Sequence, residues 1–172
     1  MNFKKDLIKN KYSIKTLLNK HNIFSILVIL LIFFFDRISK LEIIKNLFEI
    51  NNFYINDYIN FVLVWNSGIG FGLLDLEANF VYHIITGIII IVILVITALM
   101  FSASIWEKYF YSFLVGGALG NVYDRITYYS VPDFIDLHFK DFHWFTFNIA
   151  DIFITIGILL LIIKEITKNE KN

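Results

Sequence analysis

Residues 80–101 form 22 consecutive positions without a Lys, Arg, Asp or Glu. As a helix this run is about 33 Å long, enough to cross a hydrocarbon layer about 30 Å thick. The whole chain leans the same way. Hydrophobic residues make up 58% and charged residues 17%, against roughly 45–50% and about 25% in a soluble domain. A core of this size cannot absorb so much apolar side chain, whereas lipid can.

Three further segments are apolar: residues 23–35, 109–122 and 145–163. The first has a lysine-rich front, like a signal peptide. It runs into Phe35, Asp36, Arg37 and Ile38, which offer no small-residue cleavage site, so it is read as a retained helix. Lysines set the orientation. Lys4, Lys5, Lys9, Lys11, Lys15 and Lys20 precede the first span, Lys108 lies between spans two and three, and Lys164, Lys168 and Lys171 follow the fourth. The expectation is an all-α membrane protein, a single domain over residues 1–172. It has four transmembrane helices, both termini cytoplasmic, and a head (1–21) and tail (164–172) inside. Two segments, 41–79 and 126–144, face outward. In the first, Ile59, Phe61, Val62, Leu63, Val64 and Trp65 read as a strand, predicting a small extracytoplasmic β-sheet between helices 1 and 2. The second is predicted to be a hairpin.

Counting inward from the cytoplasmic edge of each span places three polar residues at one level. His21 to Asp36 is 15 residues, Lys108 to Asn121 is 13, and Lys164 back to Asp151 is 13. Each distance is roughly 20 Å of helix. Charges there cost several kcal/mol unless paired or hydrated, so their coincidence on three helices points to a site. Gly116, Gly117 and Gly120 precede Asn121 and permit close helix packing. Gly68, Gly70 and Gly72 follow the strand and predict a tight outer turn.

Net charge is zero, with no field to attract nucleic acid. There is no cysteine, which removes disulfides, thiolate metal sites and thiol nucleophiles and leaves the redox compartment open. The intramembrane polar site fits a protease or a transporter, and a protease so constituted needs serine, a metal or a carboxylate pair. His21, His83, His138 and His143 are scattered, with no H-E-x-x-H, which argues against zinc. Ser39 and Lys40 are sequence neighbours and point apart on a helix. Carboxylates remain. Two close ones share a proton, so that one activates water and the other protonates the carbonyl oxygen.

Five patterns stand in order: FDRISK (35–40), NSGIGFGLL (66–74), GGALGNVYDR (116–125), VPDFID (131–136) and FNIAD (147–151). Together they resemble the lipoprotein signal peptidases, or signal peptidase II, over roughly residues 23–165. The sequence departs from the family at Gly70, where Ala or Ser is usual. The resemblance implies a bacterial inner-membrane aspartic endopeptidase, with its site toward the extracytoplasmic side. It removes signal peptides from diacylglyceryl-modified prolipoproteins, cutting just before the lipidated cysteine. It implies Asp133 and Asp151 as the catalytic pair, supported by Asp36, Lys40, Asn66, Asn121, Arg125 and Asn148. Its partners are the prolipoprotein and the bilayer; no cofactor or metal is needed, and a monomer is expected.

Spacing adds detail. Asn148 shares a helical face with Asp151, as Asn121 does with Arg125, and Arg125 offers a fork to a loop carboxylate or a substrate carbonyl. Asp36 and Lys40, four apart, read as a structural pair. Asp124 reads as structural, and Asp136 and Asp141 as solvated loop carboxylates. The aromatics Tyr128, Tyr129, Phe134, Phe142 and Trp144 suit a membrane interface. Two rival readings remain: a small proton- or ion-coupled transporter and a non-enzymatic scaffold. The first expects inverted repeats and broken helices, which the sequence lacks. The second needs no precise polar cluster.

Overall fold

The computed structural model describes residues 19–47, 52–68 and 78–169. The head lysines before Lys20, Lys171, and Gly70 and Gly72 of the expected outer turn lie outside the described residues. Among the described residues, four helices and four strands follow in the order α1 (Lys20–Leu47), β1 (Asn52–Tyr54), β2 (Ile59–Asn66), α2 (Ala78–Ser102), α3 (Ile105–Tyr128), β3 (Val131–Phe139), β4 (Phe142–Phe147) and α4 (Ile149–Asn169). Two of them, over Lys20–Asn46 and Phe80–Ser102, are long and apolar enough to cross a membrane.

The helices are inside out. On α1, Asp36 and Lys40 have no exposed surface, while Leu31 and Ile38 are 69% and 65% exposed. On α2, Phe80, Ile91 and Leu94 are likewise exposed. Water would reverse this arrangement, and a hydrocarbon solvent demands it.

Helix α3 is the hub, packed against α1, α2 and α4. Its glycines set the spacing. A Cβ on Gly116 would meet Ile32 and the carbonyl oxygen of Ile29. One on Gly117 would overlap the Ala150 carbonyl oxygen, and one on Gly120 would overlap the Asp36 carboxylate. Tyr129, at φ 55, ends α3 in a left-handed residue and turns the chain into β3.

The sheet is larger than the expected unit between helices 1 and 2. Both segments expected to face outward build it, in the antiparallel order β1-β2-β3-β4. The fourth helix also starts later than the apolar run from residue 145 implied, because residues up to Phe147 belong to β4. Alternating aromatics in a strand and apolar residues in a span look alike when only hydropathy is counted. Conversely, α1 and α3 extend past the runs 23–35 and 109–122, since their polar ends are helical too.

Two register shifts interrupt the ladder. Phe61 pairs with Ile135, but Val64 pairs with Asp133, so β2 carries one extra residue between them. Leu137 pairs with Phe145, but His138 pairs with His143, so β4 carries one extra residue, Trp144. Each bulge reverses which face the following residues present. Without the first, Asn66 would point away from Asp133.

Replacing Gly117 with Val is expected to overpack the α3–α4 contact at a cost of about 1–3 kcal/mol. Gly87→Ala, where a Cβ meets nothing within 4 Å, is expected to leave stability unchanged or raised. Thermal unfolding in detergent compares the two.

Candidate active site

Three positions that depth counting aligned meet at the start of α4. Asn148 is its N-cap and Asp151 its third residue, and the two form a reciprocal capping box. Asn148 Oδ1 accepts the Asp151 N–H at 3.1 Å, and Asp151 Oδ2 accepts the Asn148 N–H at 3.1 Å. This pattern satisfies two orphan donors at a helix start. Asp36 reaches across from α1 to accept a third, the Ala150 N–H, at 3.0 Å.

Asn148 also binds the other carboxylate. Its Nδ2 donates to Asp133 Oδ1 at 2.6 Å. Asn66 donates to Asp133 Oδ2 at 2.9 Å, and its own Oδ1 accepts the Gly68 N–H at 2.8 Å, which fixes the amide orientation. Asp133 is almost wholly buried. Burial pushes its carboxyl up to about 6, helped by the nearby negative charge of Asp151 and opposed by the bonds from Asn66 and Asn148.

Behind Asp151 stands a buried ionic cluster. Asn121 Nδ2 donates to Asp151 Oδ1 at 2.8 Å, and Asn121 Oδ1 accepts from Lys40 Nζ at 2.9 Å. Because an ammonium only donates, Lys40 obliges Asn121 to turn its amide nitrogen toward Asp151. Lys40 also lies 2.9 Å from Asp36 and 2.7 Å from Asp124. Arg37 completes the cluster against Asp124 and lies 3.4 Å from Asp36. The expected Asp36–Lys40 pair is therefore present within a larger group. Asp124 is a buried member of that group, in keeping with a structural reading. Arg37 was not singled out from the sequence, although it stands beside Asp36 and one turn before Lys40.

Asn66, Asn121, Arg125, Asp133 and Asp151 line one cavity of about 200 Å³ whose apolar wall includes Ile89, Ala118 and Ile154. At about 30 Å³ per water, it holds several waters or a peptide unit. Arg125 lies over the Tyr82 ring at 5.3 Å. Gly68, at φ +70, leaves it room: a Cβ there would come 2.6 Å from Arg125 Nη2. Among the described residues Arg125 makes no ion pair with a loop carboxylate.

Three sequence expectations fail in the hairpin. Asp136 is buried, not solvated, and accepts from His143 Nδ1 at 2.7 Å. The histidines are not all scattered, because the β4 bulge brings His138 and His143 together. Asp141 is exposed as expected. Phe134 is buried against Phe61 and takes no interfacial position, whereas Tyr129, Phe142 and Trp144 are exposed.

Polar groups gathered among helices with exposed apolar faces, with two carboxylates on one cavity, fit the class of membrane enzymes. Residues 28–167 match the signal peptidase (SPase) II family, and the chain belongs to that family. It is 47% identical over 150 residues to the lipoprotein signal peptidase of Pelagibacter ubique (strain HTCC1062), covering 86% of this chain and 90% of that one. The lipoprotein signal peptidase of Anaplasma phagocytophilum (strain HZ) is 36% identical, over 88% and 97% of the two chains. A bacterial membrane enzyme solved by the in meso method at 2.3 Å resolution superposes with a TM-score of 0.70 at 31% identity. It covers 87% of this chain and 91% of its own.

Lys40→Met strips the cation from buried Asp36 and Asp124 and releases the Asn121 amide. Breaking a buried pair from one side costs about 3–5 kcal/mol. The variant is expected to unfold at markedly lower temperature and to lose most activity, as read by thermal unfolding and by substrate cleavage.

Proposed function

We propose that the chain is an aspartic endopeptidase that cuts diacylglyceryl-modified prolipoproteins just before the lipidated cysteine. Family membership carries the coarser statement: this is a signal peptidase, a membrane-bound protease that removes signal peptides from prolipoproteins. The transporter alternative draws no support from any relative. The aspartic chemistry rests on one observation, the Asn148 amide that ties Asp133 and Asp151 to the same cavity.

In this reading Asp133, its carboxyl raised to about 6, carries the shared proton. Asp151 then takes a proton from a water in the cavity, and that water attacks the scissile carbonyl. Asp133 gives its proton toward the carbonyl oxygen. The roles reverse when the leaving nitrogen needs a proton. Asn66, Asn121 and Asn148 hold the two carboxylates in position, and Arg125 offers a fork to a substrate carbonyl at the cavity wall. Asp36 and Lys40 act through Asn121 and the α4 start, away from the substrate.

Apolar surfaces on both sides suit a lipid-borne substrate. A cleft of about 260 Å³ between α2, α3 and α4 shares Ile89, Ala118 and Ile154 with the polar cavity, and accommodates the apolar run of a signal peptide. A groove of similar volume lined by Phe145, Phe147, Ile152 and Ile156 borders Asp151, and accommodates an acyl chain. In the same reading the chain is one membrane domain, monomeric, in the bacterial inner membrane, with four spans, both termini cytoplasmic and the sheet outside.

A gel-shift assay with diacylglyceryl prolipoprotein in detergent tests the chemistry. Asp133→Asn and Asp151→Asn are each expected to lose at least about 1000-fold in rate while staying folded; near-normal cutting by either removes the dyad. The pH profile gives a second test. The protonated fraction of Asp133 is about one half near pH 6 and falls about tenfold per unit well above it. Therefore kcat/KM is expected to decline on the alkaline side with unit slope, and Asp133→Asn is expected to abolish that limb.

A further inference from the structure

On the face of the sheet opposite Asp133, the hairpin gathers three side chains that the peptidase chemistry does not use. Strand β3 is regular, so Asp133 and Asp136 point to opposite faces, while Asp136 and His138 share one. The extra residue in β4 pairs His143 with His138. In the register held by Leu137 and Phe145, the partner of His138 would be Trp144, and His143 would face away. The bulge therefore assembles a cluster with one ligand atom from each of Asp136, His138 and His143, all within 4.8 Å of one another.

The cluster is not satisfied by its own hydrogen bonds. His143 Nδ1 bonds Asp136 Oδ2 at 2.7 Å. His138 is 7% exposed, yet its Nδ1 makes no hydrogen bond. That nitrogen points into the cluster, 3.5 Å from the same Asp136 oxygen. A buried polar atom left unpartnered is costly, and here it is aimed at the one place where an ion would sit.

We propose that Asp136, His138 and His143 bind a divalent first-row transition ion, with zinc as the representative ion. Two imidazole nitrogens and one carboxylate oxygen are the donor types zinc takes at about 2.0–2.2 Å, which spaces ligand atoms in a tetrahedron about 3.4 Å apart. The Asp136–His138 separation already has that value. His143 must move outward from its hydrogen bond to Asp136 and also come to tetrahedral spacing from His138, the three ligand atoms now lying within 4.8 Å of one another. Its side chain is 57% exposed and free to do so. The fourth position faces solvent and takes water. The second nitrogen of His138 lies 3.4 Å from the Asn60 amide. With Nδ1 on the ion, Nε2 carries the ring hydrogen, and the Asn60 amide, turned away from its present 3.3 Å bond with the Ile55 N–H, presents its oxygen to it, the usual support for a ligating histidine. The ion clamps β3 to β4, whose far ends lead to Asp133 and to the Asn148 cap. It takes no part in the cut.

The test uses the purified full chain in detergent with Co²⁺ as a spectroscopic probe and Zn²⁺ as competitor. Wild type is expected to bind one Co²⁺ with visible absorption of a mixed nitrogen–oxygen site, to lose that signal to Zn²⁺, and to unfold at higher temperature with Zn²⁺ present. His143→Ala, at an exposed position that threatens the fold least, is expected to weaken binding by about tenfold or more and to lose the thermal shift. Asp136→Asn is expected to do the same. His83→Ala, outside the cluster, should bind as wild type does. Absence of saturable Co²⁺ binding by wild type, or undiminished binding by His143→Ala, overturns the proposal.

Discussion

A lysine without exposed surface holds the centre of this molecule. Lys40 donates hydrogen bonds to Asp124 and Asn121 and forms an ion pair with Asp36 at 2.9 Å, and each of those contacts has a consequence elsewhere. Asp36, so neutralised, can sit in a non-aqueous bundle and accept the Ala150 N–H at the start of α4. Asp124, shared with Arg37, locks α3 to α1. Asn121, its oxygen claimed by the ammonium, must turn its nitrogen to Asp151. A buried ion cluster contributes little net stability by itself, because desolvation offsets attraction. What it supplies here is orientation: one cation decides which way an amide points, and the amide decides where a carboxylate rests.

The rest of the site depends on two features of spacing. Glycines on α3 let α1 and α4 approach so closely that Asp36 lies where the Cβ of residue 120 would stand. The β2 bulge then turns Asn66 to the face that carries Asp133, so the sheet delivers a carboxylate and its hydrogen-bond donor to the helix end together. Asn148 joins the halves, with one side of its amide on the sheet carboxylate and the other on the helix. Loss of any of these alignments would leave the residues present and the cavity without its pair.

Much of this was legible in the sequence because hydrocarbon penalises polar groups so heavily. Asp36, Asn121 and Asp151 stood out as polar residues at one depth, and they meet. The glycine run before Asn121 announced a close helix contact, and it is one. What the sequence hid was register. Nothing in the alternation of β2 or β4 marks where an extra residue enters, so neither the reach of Asn66 to Asp133 nor the convergence of His138 and His143 on Asp136 could be read. Hydropathy also could not separate Phe145 and Phe147 of a strand from the helix after them. The Arg37–Asp124 contact joins residues 87 positions apart, a distance at which local pattern carries no information.

In the proposed chemistry Asp133 and Asp151 behave as one unit across the Asn148 amide. Infrared titration of the Asp133 carboxyl stretch in the detergent-solubilised protein tests it most directly, with the band assigned by its loss in Asp133→Asn. A protonated carboxyl that titrates near pH 6 is expected. Asp151→Asn, which removes a neighbouring negative charge, is expected to move that titration to lower pH. A band that titrates identically with and without the Asp151 carboxylate would contradict the account, because the two groups would then not share a site.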